Sequence, residues 1–230
     1  MSERQAESPT DRPPRRGLAE KRQAIVQGAG VVFAQDGYTR ASIDAIAREA
    51  GVSTRTIYNH FADKAQLFRI VIEESATRVR DAQLAEIERH LGKVVSLEDD
   101  LVGLGLALAA RSESFEAHFA LVRQIQAEAR HLPAELVAAW QEVGPWAVQR
   151  ELVARFTGLV ERGLLGAGAG AGTAVDAAGA GAVDRMVAHF LALATAEVEA
   201  RSMWGTVAVP AEEAEGLVRA GVRAFLRAYG

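Results

Sequence analysis

The 230-residue sequence contains no cysteine. That removes a disulfide framework, a thiolate metal site and a cysteine nucleophile together, and it fits a reducing compartment. Long hydrophobic runs are missing too. The longest apolar-and-glycine stretch, LVGLGLALAA at residues 101–110, is about half of a bilayer span and reads as a buried helix. The N-terminal stretch MSERQAESPTDRPPRRG is charged and proline-containing, without the apolar segment of a signal peptide. A cytoplasmic protein with no membrane partner is therefore expected. Alternating β-branched patterns are almost absent, and Ala, Leu, Glu and Arg dominate, so the expected fold class is all-α.

Enzyme signatures are equally scarce. The histidines, His60, His90, His118, His131 and His189, are scattered, with no HExxH and no paired Glu-x-x-His spacing. There is no GxSxG elbow. The expectation is no catalytic residue, no metal and no cofactor, with a helical enzyme as the rival class and a protein-interaction module as a second rival.

The composition that is present, 49% apolar and 24% charged, is that of a globular protein. The chain is long enough for one large core or two smaller ones. Charge is unevenly placed. Residues 12–64 hold nine Lys or Arg against five Asp or Glu, whereas residues 65–230 hold sixteen against twenty-two. A basic front end on an acidic body suggests that the front end meets a polyanion.

Residues 1–16 read as a flexible arm, with Pro9, Pro13 and Pro14 opposing helix and Arg12, Arg15 and Arg16 at its end. Helical periodicity starts at Leu18 and runs through Ile25, Val26, Ala29, Val32 and Phe33 to a stop at Gly37. A second helix carries Ile43, Ile46, Ala47 and Ala50, with Ser42 as its cap, before Gly51 breaks the pattern. The stretch GVSTRTIYNHFADK, residues 51–64, then follows. Val52, Ile57 and Phe61 can be buried there, and the rest is polar and varied. Asp63, with Gln66 three residues on, opens a fourth helix to about His90 in capping-box fashion. Further helices are expected at 97–111, 113–130, 134–163, 180–202 and 211–228, with Pro133 and Gly144-Pro145 as punctuation. The stretch GLLGAGAGAGTAVDAAGAG within residues 163–181 reads as a Gly/Ala-rich flexible connection. It contains neither GxxxxGK[ST] nor a true GxGxxG, and no strand precedes it.

Two short helices joined by a tight glycine turn, the second polar on its outer face, describe a helix-turn-helix. A helix that enters a DNA groove cannot be covered by its own protein, so its outer side chains must read bases and phosphates. Residues 24–72 resemble the DNA-binding domain of the TetR family of transcriptional regulators. The resemblance rests on Phe33 to Gly37-Tyr38-Thr39, Ile43-x-x-Ile46-Ala47, Gly51-Val52-Ser53, Ile57-Tyr58-x-His60-Phe61 and Lys64. It implies a three-helix DNA-binding domain at 17–64 and a larger helical effector-binding and dimerisation domain at 65–230. It also implies that Thr54, Arg55, Thr56 and Asn59 face base edges, and that Tyr58, His60 and Lys64 hold the phosphate backbone. Ser42 and Thr39, near the start of the second helix, suit a further phosphate. Tyr58 can equally be read as partly core, and Ser53 as a helix cap.

The implied function is a ligand-responsive transcriptional repressor, bound as a homodimer to a palindromic double-stranded DNA operator and released by a small hydrophobic effector. Phe115, His118, Phe119, Val122 and Gln126 on one helix, with Trp140 and Trp146 on the next, are the candidate effector contacts, although such a stripe can also be core. Two apolar stripes follow: Val183, Met186, Val187, Phe190, Leu191 and Ala194, then Leu217, Val218, Gly221, Val222 and Phe225. By resemblance they form a four-helix dimer interface, and as bare sequence they fit the monomer's own core equally well.

Overall fold

Short polar side chains set where several helices begin. A computed structural model describes residues 15–110, 115–166, 179–203 and 205–230, and every regular element among them is a helix. The order is α1 (Arg15–Arg40), α2 (Ile43–Glu49), α3 (Thr54–His60), α4 (Lys64–Leu91), α5 (Leu97–Ala109), α6 (Glu116–Glu128), α7 (Ala134–Val143), α8 (Pro145–Glu161), α9 (Gly179–Ala194), α10 (Ala196–Arg201) and α11 (Ala211–Tyr229). Ser42, Ser53, Asp63 and Ser96 cap α2, α3, α4 and α5, each accepting a backbone N–H three residues on. Gln66 completes a box at α4 by accepting the Ala62 N–H at 2.7 Å, one residue earlier than the standard pattern. The arm with Arg12, and residues 167–178 of the glycine-rich connection, lie outside the described residues. So do the side chains of Arg15 and Arg16.

Two hydrophobic cores share the molecule. The first gathers Ile25, Ala29 and Phe33 of α1, Ile46 of α2, Ile57 and Phe61 at α3, and Leu67, Phe68 and Ile72 of α4. Leu121 and Ile125 of α6 and Leu136 of α7 close it, so residues 17–64 do not bury their apolar faces alone. The second gathers α5, α8, α9 and α11 around Phe156, Phe190 and Phe225, whose ring centroids lie 5.3–6.0 Å apart. Helix α4 runs through both, with Leu67–Ile72 in the first and Ile87 and Leu91 in the second. Its 28 residues make a continuous rod of about 42 Å at 1.5 Å per residue.

Two expectations need revision. The 134–163 helix is two helices, because Gly144 leaves helical dihedrals (φ −104°, ψ −93°) and Pro145 starts α8. The 180–202 helix is also two. Thr195, buried at the junction of α9 and α10, turns its Oγ1 back to the Leu191 carbonyl at 2.9 Å, the kind of bond that bends helices. The apolar stripes of α9 and α11 fitted two readings, a dimer interface and the chain's own core. Met186, Val187, Phe190, Ala194, Val218, Gly221, Val222 and Phe225 are all buried within the single chain, where they complete its own core. The physical reason is close approach: a Cβ on Gly221 would collide with the Leu193 carbonyl, so α11 crosses α9 at backbone contact. Exposed ion pairs fasten α11 to α5, with Arg219 reaching Asp99 at 3.1 Å and Arg223 reaching Glu98 at 2.8 Å.

Candidate functional site

Helix α3 is held from below and open above. Gly51 takes φ +64°, a left-handed turn that a side chain would strain, and the Val52 N–H returns to the Ala47 carbonyl at 2.9 Å. The turn fixes the angle between α2 and α3. Ile57 and Phe61 are buried, and Ser53 caps the helix by accepting the Thr56 N–H at 3.1 Å. On the outer side, Arg55, Tyr58 and Asn59 are exposed, while Thr54, Thr56 and His60 are half-buried. Tyr58 is 57% exposed, so it stands outside the core. No hydrogen bond or ion pair among the described residues engages Arg55 or Asn59. The Thr56 hydroxyl already shares a 2.8 Å hydrogen bond with Ser53 Oγ, which makes it the most committed member of the group. Ser42 is exposed at the start of α2, its Oγ accepting the Ala45 N–H at 3.1 Å.

Lys64 is engaged within the chain. Its Nζ donates to the carbonyls of Tyr38 at 2.8 Å and Ala41 at 3.0 Å, with Thr39 at 3.5 Å, and lies 4.6 Å from the Tyr38 ring centroid. An ammonium has three donors and no more. Lys64 therefore closes the C-terminal end of α1, a structural task beside the phosphate contact expected from the sequence. Burial pushes the Tyr38 hydroxyl above its ordinary pKa, and the nearby Asp63 carboxylate adds to the rise.

The same end of α1 is gripped from α6. Gly37 has φ +77° and interrupts the helix. Glu128 Oε2 accepts the Thr39 N–H at 3.1 Å, and a side chain at Gly37 would strike the Glu128 carboxylate. Gln124 Nε2 donates weakly to the Ala34 and Gln35 carbonyls, both at 3.4 Å. One side of α6 thus holds the end of α1.

The N-terminal half of α6 borders a cavity of about 350 Å³ between α4, α6, α7, α8 and the α9–α10 junction. His118, Phe119, Val122 and Trp140 line it, as do Val79, Arg80 and Gln83 of α4. His118 Nδ1 and Ser75 Oγ share a 3.0 Å hydrogen bond. Phe115, Gln126 and Trp146 are not part of the lining. Phe115 precedes the first turn of α6. Gln126 lies eight residues beyond His118, about 12 Å along the axis, and is exposed. Trp146, 44% exposed, falls on the opposite side of α8 from Val148. Sequence reasoning missed Arg80, Gln83, Gln149, Thr195 and Glu199, all in the lining. Arg80 and Gln83 follow Ala76 and Val79 at helical spacing, a signal that polar groups interrupt an apolar face. Glu199 gave none, because on an α-helix of unknown orientation it looks like one more solvated carboxylate.

Comparison with known proteins bears on both regions. Residues 25–71 match the model described as bacterial regulatory proteins, tetR family, and residues 100–230 match that of the AefR-like transcriptional repressor C-terminal domain. The HTH-type transcriptional repressor AcnR of Corynebacterium diphtheriae is 34% identical over 84 residues, 36% of this chain and 42% of the relative. The HTH-type transcriptional regulator AcrR of Shigella flexneri is 36% identical over 78 residues, 34% of this chain and 36% of the relative. The chain thus spans well under half the length of these two curated relatives. A putative TetR-family regulator from Mesorhizobium loti has the same fold along almost its whole length, with a TM-score of 0.71, 27% identity, and coverage of 93% of this chain and 98% of that one. With a C-terminal domain model covering more than half of its residues and the helix-turn-helix model covering the front, this chain belongs to the TetR family of bacterial transcriptional regulators.

Proposed function

We propose that the protein is a ligand-responsive repressor that binds a palindromic operator as a homodimer and lets go when a small effector enters the cavity. In this reading Arg55 and Asn59 read base edges with Thr54 and Thr56, and Tyr58, His60 and Ser42 hold phosphates. Two recognition helices about one DNA turn apart would read the two half-sites. The observation that carries the regulatory part is the continuity of α4. Ala76, Val79, Arg80 and Gln83 line the cavity, and the first residue of the same helix, Lys64, grips the α1 end that leads into α2 and α3. A ligand that displaces the 76–83 segment moves the recognition helix through a rigid rod, and two such rods reset the spacing across the dimer. Repression is supported by curated relatives that are themselves repressors, AcnR among them.

Selection of bound sequences from random duplex DNA tests the proposal. An inverted repeat is expected, with binding that weakens steeply as salt rises. Arg55→Ala and Asn59→Ala should each relax preference at particular base pairs by roughly 1–3 kcal/mol. No enriched motif, or binding indifferent to salt, would sink it.

A further inference from the structure

The charges that line the cavity are not balanced against each other. Arg80 supplies a cation, but the neighbouring Asp81 supplies its counter-charge. Nε and Nη2 donate to Asp81 Oδ1 at 2.9 and 2.7 Å, and Nη1 approaches the Val143 carbonyl at 3.4 Å. Glu199 supplies a carboxylate, and among the described residues it has no cation within ion-pair reach. Its carboxylate lies 3.3 Å from the Thr195 hydroxyl, whose single proton is shared with the nearer Leu191 carbonyl at 2.9 Å. It is half-buried, and the apolar Leu152 and Leu191 share the lining with it. A carboxylate withdrawn from water without a counter-charge is costly, and a ligand that brings the charge removes that cost. The rest of the wall suits an apolar body, with the aromatic faces of Phe119 and Trp140, which also favour cations.

We infer that the cavity takes a lipophilic amine: an apolar or aromatic body whose protonated nitrogen pairs with Glu199. Hydrophobic carboxylates are disfavoured, since Arg80 is held by Asp81 while Glu199 repels a second anion. The inference rests on the cavity being the effector site of the proposed regulator. Its volume, about 350 Å³, sits at the small end of known ligand sites, so the effector is compact.

The test uses one hydrocarbon body with three head groups: 4-phenylbutylamine, 4-phenylbutanol and 4-phenylbutanoate, each titrated into the full chain by calorimetry. The amine should bind at least about tenfold more tightly than the carboxylate, with the alcohol between. Glu199→Gln should erase that order by weakening the amine, and Glu199→Asp should keep it. Circular dichroism of both variants checks that they remain folded. Equal or tighter binding of 4-phenylbutanoate would overturn the inference. So would an unchanged order in a folded Glu199→Gln protein, or failure of all three compounds to bind. A gel shift on the selected operator separates this inference from the function on which it rests. Amine binding in the expected order without operator release upholds the cavity chemistry and removes the effector role. Operator release by 4-phenylbutanoate in preference to the amine removes the chemistry and leaves the role.

Discussion

Replacing Lys64 with Met keeps the straight apolar stem and deletes the ammonium. Two of its hydrogen bonds are short, to the Tyr38 carbonyl at 2.8 Å and the Ala41 carbonyl at 3.0 Å, and the third, to Thr39 at 3.5 Å, is weak. Hydrogen bonds to a charged group are each worth roughly 1.5–3 kcal/mol net. Lys64 is half-buried, so water can partly replace it at the carbonyls, and the expected loss is about 2–3 kcal/mol. For a chain of this length a loss of that size lowers the thermal midpoint by about 4–12 °C. The DNA-binding readout separates this role from a phosphate contact. With Nζ committed to carbonyls, the slope of log affinity against log salt should stay as in the unmodified protein. A phosphate contact would instead lower that slope by about 0.9 while leaving the midpoint alone. Thermal unfolding and a salt series on a generic duplex therefore decide the matter. An unchanged midpoint with a flatter slope would refute the structural role.

Two further substitutions test packing away from the DNA face. Gly221→Ala drives a methyl into the Leu193 carbonyl and forces α9 and α11 apart. The urea midpoint should fall by roughly 1–3 kcal/mol of stability or more, and stability equal to the parent would contradict the close crossing. Glu128→Ala removes the acceptor of the Thr39 N–H. Hydrogen exchange at that amide should then quicken about tenfold in a protein of unchanged helicity; unaltered exchange would mean that α6 does not hold the end of α1.

The three-helix front end was legible in the sequence because its signals are local. The stripe from Ile25 to Phe33, the Ser42 and Ser53 caps and the break at Gly51 each act within one or two helical turns, and each reappears in the structure. The polar outer face of α3 was legible for the same reason, since Ile57 and Phe61 leave only one side for burial. Periodicity also placed His118, Phe119, Val122 and Trp140 on apolar faces, which the fold turns toward one cavity. Their number along the chain could not say where that cavity ends, and Gln126 and Trp146 fall beyond it.

What the sequence by itself determined is the helical class, the caps and the polar outer face of α3, because hydrogen bonding and amphipathicity work over neighbouring residues. Tertiary structure alone decided the partners that meet over long separations. Lys64 closes a helix that ends more than twenty residues earlier, Gly221 is required by Leu193, and Arg80 pairs with Asp81 while Glu199 has no cation within ion-pair reach among the described residues. A charged side chain carries the same letter whether it is solvated, spent on a carbonyl or waiting for a ligand. The atoms brought against it by folding make the difference.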